Sequence, residues 1–208
     1  MFGLTQEEMK MLRPLTNPRK IQDFLDSLPI NYEKKGETYM SPRRALRENK
    51  AHCIEGALIA ALAFWMQGEK PLLMDFTTLP HDEDHVIALF RENGHWGAVS
   101  KTNHAILRYR DPVYKTPREL AMSYFHEYYM FENGKKTLVS FSKPLDLRGL
   151  GESWVTDDGD LDHVADALDA ARHFPVVPIA NARLMRRASR IELSAGKLTE
   201  WKKTDPRT

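Results

Sequence analysis

The chain has 208 residues, 42% of them hydrophobic and 28% charged, with a formal net charge of +1 and a single cysteine. That balance suits one globular core and supplies no global field to draw nucleic acid or a membrane surface. One cysteine excludes an internal disulfide, which fits a reducing, cytoplasmic setting, and the N-terminus turns acidic at Glu7-Glu8 without a signal-peptide pattern.

Thr5-Gln6-Glu7-Glu8 reads as a capping box opening a short helix that stops near Pro14. Asn17-Pro18 starts a second helix, with Asn as the cap and Pro at the first helical position. There Ile21, Phe24, Leu25 and Leu28 recur at helical spacing, and Pro29 ends the run. Lys34-Lys35-Gly36 looks like a loop, and Ser41-Pro42 opens a brief helix through Arg47.

The most apolar stretch follows, from Cys53 to Trp65. Its apolar residues run all round, which predicts a helix buried on most sides and closed by Gly68. It is far too short to span a bilayer. Strand patterns begin only after it. Pro71–Phe76 is a strand candidate, and 79–84 reads as an exposed turn. His85–Phe90 and His95–Ser100 flank Asn93-Gly94, the strongest short hairpin signal available. A third strand is expected over Ala105–Tyr109. Thr116-Pro117 should cap a helix carrying Leu120, Tyr124 and Tyr128 and ending before Asn133-Gly134, and Thr137–Ser142 is a fourth strand candidate.

Beyond Leu145 the predicted elements are a helix over 160–172, an edge strand at Val176–Ile179, and a last helix capped by Asn181. That helix would carry Arg183, Arg186, Arg187 and Arg190 as one basic stripe. Helices followed by a mainly antiparallel sheet argue for an α+β fold. Residues 1–144 read as a helical N-terminus plus the core, with 145–208 as a C-terminal extension packed on the same domain.

A thiol on the first turn of a buried helix faces unpaired backbone N–H groups and the positive end of the helix dipole, which favours the reactive thiolate. Cys53 is therefore the candidate nucleophile and His85 the candidate base. The plainer reading of a lone cysteine in an apolar segment is an inert core residue. A third polar residue should orient the imidazole. With a two-residue turn at Asn93-Gly94, His85 faces Thr102; with a bulge it faces Asn103. An amide or carboxylate orients histidine better than a hydroxyl. This ranks Asn103 first and Asp111 second, ahead of Ser100 and Thr102, although Asn103 and Asp111 also suit simple turns.

Other features have plainer explanations. His52, next to the thiol, suits the oxyanion side or a substrate contact, or is only a half-exposed neighbour. Asp84 and Glu55 bias the local field. His81-Asp82-Glu83-Asp84-His85 is rich in metal-capable groups, but a strand or loop does not gather ligands at that spacing, so no metal and no cofactor are expected. The aromatic set around Tyr124–Phe131 reads as packing. The arginine stripe reads as a solvated helix face, with nucleic-acid contact as a minor alternative.

Cys53 at the head of an Ala-rich helix, then His85-Val86-Ile87-Ala88-Leu89-Phe90, then Asn93-Gly94-His95-Trp96, resembles the transglutaminase-like superfamily, a branch of the papain-like cysteine-protease fold. The resemblance covers residues 41–115. It implies a Cys-bearing helix packed on an antiparallel sheet, and acyl transfer from a peptide or other amide through a thioester, ending in hydrolysis or transamidation. In this family an acidic residue follows the tryptophan on the next strand; the matching position here is Ser100. That departure keeps a second reading in play, a catalytically silent member acting as a binding or scaffold module.

Overall fold

The computed structural model describes residues 2–34 and 36–206, so Lys35 of the expected 34–36 loop lies outside the described residues. The first three helices start where their caps are. In α1 (Gln6–Leu12), Glu8 N donates to the Thr5 hydroxyl at 3.2 Å and Thr5 N to the Glu8 carboxylate at 2.7 Å. Asn17 caps α2 (Pro18–Ser27), which buries Ile21 and Leu25, and Ser41 caps α3 (Pro42–Glu48). Asn49 then takes a left-handed conformation (φ 52°), tolerable for Asn, and turns the chain into α4 (Cys53–Met66). Residues Cys53 through Phe64 of α4 are all buried, as its all-round apolar pattern requires.

Strands β1 (Leu72–Thr78), β2 (His85–Glu92) and β3 (His95–Val99) form the centre of the sheet. Asn93 (φ 49°) and Gly94 (φ 81°) both sit at positive φ, and Glu92 pairs with His95. The turn is therefore the two-residue kind, without a bulge. The remaining elements are β4 (Arg110–Tyr114), α5 (Pro117–Tyr124), β5 (Leu138–Ser142), β6 (Leu145–Asp146), α6 (Asp162–Asp169), β7 (His173–Pro175) and α7 (Arg190–Gly196). The sheet order is β4-β3-β2-β1-β5-β7, with β6 also on β1, and every pairing is antiparallel. The fold is α+β.

The alternation of β1 and β2 divides the core. Leu73, Val86, Ala88 and Phe90 pack with α4, while Met74, Phe76, Ile87 and Leu89 pack with α5. Residues after 145 enter the same interior: β6 and β7 extend the sheet, and Leu147, Trp154, Leu161 and Val164 are buried with α4. No helix among the described residues is long and apolar enough to cross a membrane.

Five expectations need correction. The strand expected at Ala105–Tyr109 lies instead at Arg110–Tyr114, and Pro112 is tolerated because β4 is an edge strand. Leu107 is held at φ 60° with its N–H on the Glu127 carboxylate at 2.6 Å, so the apolar Ile106-Leu107 pair faces a cleft rather than a neighbouring strand. The aromatic helix stops at Tyr124 and continues as a single 3-10 turn, Phe125–Glu127. The edge strand comes three residues earlier than expected, at His173–Pro175. The arginines share no helix face: Arg183 lies in a 3-10 segment (Ile179–Leu184), Arg186 and Arg187 are non-helical, and Arg190 begins α7. The last helix is started by the Ser189–Glu192 capping box rather than by Asn181.

Candidate active site

Cys53 is the first residue of α4 and is 7% exposed. The His52 ring lies over it, with Nδ1 3.4 Å from Sγ. Burial pushes the Cys53 thiol up. The charge and hydrogen bond of His52, followed by the hydrogen bond and charge of His85, outweigh that effect and hold the thiol well below its ordinary range. In turn the Cys53 charge, against the opposing effect of burial, lifts His52 to about 10. Both shifts favour a thiolate–imidazolium pair, and the N-terminal end of the α4 dipole acts in the same direction. His52 thus has a larger role than its sequence position suggested.

His85 is 6% exposed and its Nε2 lies 2.8 Å from the Ser100 hydroxyl. The Ser100 hydroxyl also lies 2.5 Å from the Leu107 carbonyl, which can only accept, so the serine donates there. The Ser100 oxygen therefore accepts from His85, whose Nε2 carries the ring proton. Nδ1 is then the ring nitrogen left free to exchange a proton with the thiol or with an attacking group. Ser100 is itself clamped by Gln22 of α2: Gln22 Nε2 donates to Ser100 O at 2.8 Å and Ser100 N donates to Gln22 Oε1 at 3.0 Å.

Ser100, ranked behind Asn103 and Asp111, is the residue bonded to His85. Asn103 instead fastens the C-terminal segment: its Nδ2 donates to the Trp201 carbonyl (3.0 Å) and the Tyr32 hydroxyl (2.9 Å), and its Oδ1 accepts from Trp201 N (2.8 Å). Asp111 is exposed on β4. Ranking by side-chain chemistry misled, because β3 ends at Val99 and the partner formally opposite His85 is never reached. Ser100 lies on the same sheet face as His85, and that periodicity was the usable signal.

Glu55, buried to 0% exposure, lies in the first turn of α4 behind Cys53. Its carboxylate accepts from His52 N (2.6 Å), the Thr38 hydroxyl (2.8 Å), Asn31 Nδ2 (3.2 Å) and Met40 N (3.4 Å). Burial raises its pKa, and these bonds pull it back in part. Sequence reading missed Gln22, Asn31 and Thr38. Gln22 had left a signal, a polar residue on the apolar face of α2 beside Ile21 and Leu25.

Cys53 lines two adjoining clefts. The first, about 290 Å³, is lined by His52, His85, Leu107, Tyr128 and Phe131 among others. The second, about 580 Å³, is lined by Tyr39, Asp75, Val86 and Asp169 among others. The 82–84 turn contributes to both, and Asp84 holds it by accepting from Thr78 N at 2.7 Å. No three His, Cys, Asp or Glu side chains among the described residues converge on a metal position.

In the second cleft Asp75 is 4% exposed, with Oδ2 3.2 Å from His173 Nε2. Burial raises Asp75 from 3.8 to about 6 despite that contact. The folded state therefore holds this proton more tightly than the unfolded chain. The resulting stabilisation is full below pH 3.8 and is lost as pH rises through about 6. Asp75→Asn is expected to remove this loss. Thermal unfolding across that window should show the variant gaining on the wild type as pH rises, and parallel curves would contradict the assignment.

No protein-family model and no curated protein matches the chain.

Proposed function

We propose that the protein is a cysteine-dependent acyl-transfer enzyme of the transglutaminase-like type, acting on a peptide or other amide. The carrying observation is the Cys53 sulfur 3.4 Å from the His52 imidazole at a helix N-terminus, with a second imidazole, His85, oriented through its Nε2 by Ser100. The thiolate attacks the amide carbonyl carbon, and the developing oxyanion faces the Cys53 backbone N–H, which has no intrahelical partner. The His52 imidazolium gives its proton to the departing nitrogen, leaving a thioester. His85 then takes a proton from the water or amine that attacks the thioester. The sulfur leaves as thiolate, and the spare proton returns to His52.

The test is alkylation of Cys53 by iodoacetamide as a function of pH. The expected midpoint lies well below the free-thiol value of about 8.5, and His85→Ala shifts it upward. A midpoint at the free-thiol value overturns the reading. The serine standing where the resemblance implies an acid favours a second reading, a silent binding module of the same fold. Selective labelling of Cys53 by an electrophilic thiol probe argues against that second reading.

A further inference from the structure

We infer that the Tyr128 hydroxyl donates a hydrogen bond to the substrate's acyl oxygen, forming the side-chain half of an oxyanion hole whose other half is the Cys53 backbone N–H. The inference rests on the acyl-transfer reading above and adds a catalytic residue to it.

Tyr128 follows the 3-10 turn after α5 and is 3% exposed, yet it lines the same cleft as Cys53, His52 and His85. Its hydroxyl finds no hydrogen-bond partner among the described residues. A buried hydroxyl without a partner is an uncompensated loss of hydration, and folded proteins rarely keep one that nothing uses. The ring is fixed edge-on against Phe76, with centroids 6.0 Å apart, and Phe76 is the cross-strand partner of His85. The backbone is fixed too, since the Tyr128 carbonyl accepts from Thr137 N at 3.3 Å. Tyr128 therefore presents a rigid, unused polar group beside the reacting centre, as a preorganised donor must.

Its neighbours in the cleft do not compete for the role. Asp82 also carries an unpartnered buried oxygen there, but an ionised carboxylate only accepts and would repel an oxyanion. Lys101 is held away by donating to the Leu25 carbonyl at 2.8 Å and the Leu28 carbonyl at 2.5 Å. Asn103 is fully engaged by Trp201 and Tyr32. Burial, then the charge on Cys53, push the Tyr128 phenol well above its ordinary value, so it keeps its proton and remains a donor.

The test compares two reagents that differ in whether an oxyanion forms. With iodoacetamide the thiolate displaces iodide at a saturated carbon, and no carbonyl oxygen gains charge. With p-nitrophenyl acetate the thiolate adds to the acyl carbon and the C=O pair moves onto oxygen. Collapse then expels p-nitrophenolate and leaves acetyl on Sγ. Tyr128→Phe is expected to slow acylation about 100- to 1,000-fold while the iodoacetamide rate stays within about twofold. The alkylation rate doubles as a check that the variant is folded. Unchanged acylation overturns the proposal, and so does an equal loss of both rates, which would place Tyr128's effect on the sulfur or on the fold. A wild type with an ordinary alkylation profile and no acylation instead overturns the acyl-transfer reading itself, and the two failures are distinct.

Discussion

Replacing His52 by alanine is expected to slow iodoacetamide alkylation of Cys53 about 100-fold near pH 6.5, with little loss of stability. Cys53 is buried, and burial by itself pushes a thiol up. The His52 charge is the largest single effect opposing that push, ahead of the contribution from His85. Without it, burial is opposed only by the smaller contribution of His85, so the thiol moves back toward the free value of about 8.5, at which only about 1% is thiolate at pH 6.5. The backbone role of the residue survives the change, because the α4 cap uses the main-chain N–H of residue 52 on Glu55, at 2.6 Å. The profile should therefore move while the unfolding midpoint stays put. An unmoved profile would mean that His52 is only a neighbour and that His85 alone sets the thiol. His85→Ala, which removes the smaller contribution, should produce the smaller shift.

Glu55→Ala should be among the most destabilising single changes, by about 3–5 kcal/mol. The carboxylate gathers donors from three separate pieces of chain: Asn31, the Thr38–Met40 segment and His52. Truncation leaves these donors buried and unpaired, and it opens a void under the first turn of α4. Glu55→Gln should fall between the two, since the amide oxygen still accepts but the NH2 group meets other donors. For a chain of this size the alanine variant should unfold roughly 10 °C lower in a thermal melt. A loss below about 1 kcal/mol would mean that water replaces the carboxylate freely. Thiol reactivity should fall with stability in this variant, unlike His52→Ala, because the mouth of the helix itself loses its support.

The elements most legible in the sequence were those specified by neighbours along the chain. Thr5 with Glu8, Asn17 with Pro18 and Ser41 with Pro42 each started a helix at the residue they announced. Asn93-Gly94 fixed a two-residue turn because both positions accept positive φ at little cost. The apolar wrapping of α4 required burial on all sides, and that burial set Cys53 at a helix mouth inside the protein. Signals failed where a local pattern had competing partners. Asn181 looked like a cap, but Ser189 with Glu192 made the better box. Ile106-Leu107 looked like a strand, but the Glu127 carboxylate captured Leu107 N and turned the pair toward the cleft.

The sequence alone determined an α+β chain with one buried thiol at the start of its most apolar helix and a histidine opening the hairpin strand. Only the tertiary structure decided what those two residues meet. β3 stops one residue short of Ser100, which gives the serine rather than Asn103 to His85. The 3-10 turn after α5 brings Tyr128 into the lining of the cleft that holds Cys53. Caps and turns are decided within four or five residues, by hydrogen bonds the local chain can make unaided. The partners of a side chain in a cleft depend on where each strand ends and which loop folds over it, and those are set by packing across the whole core.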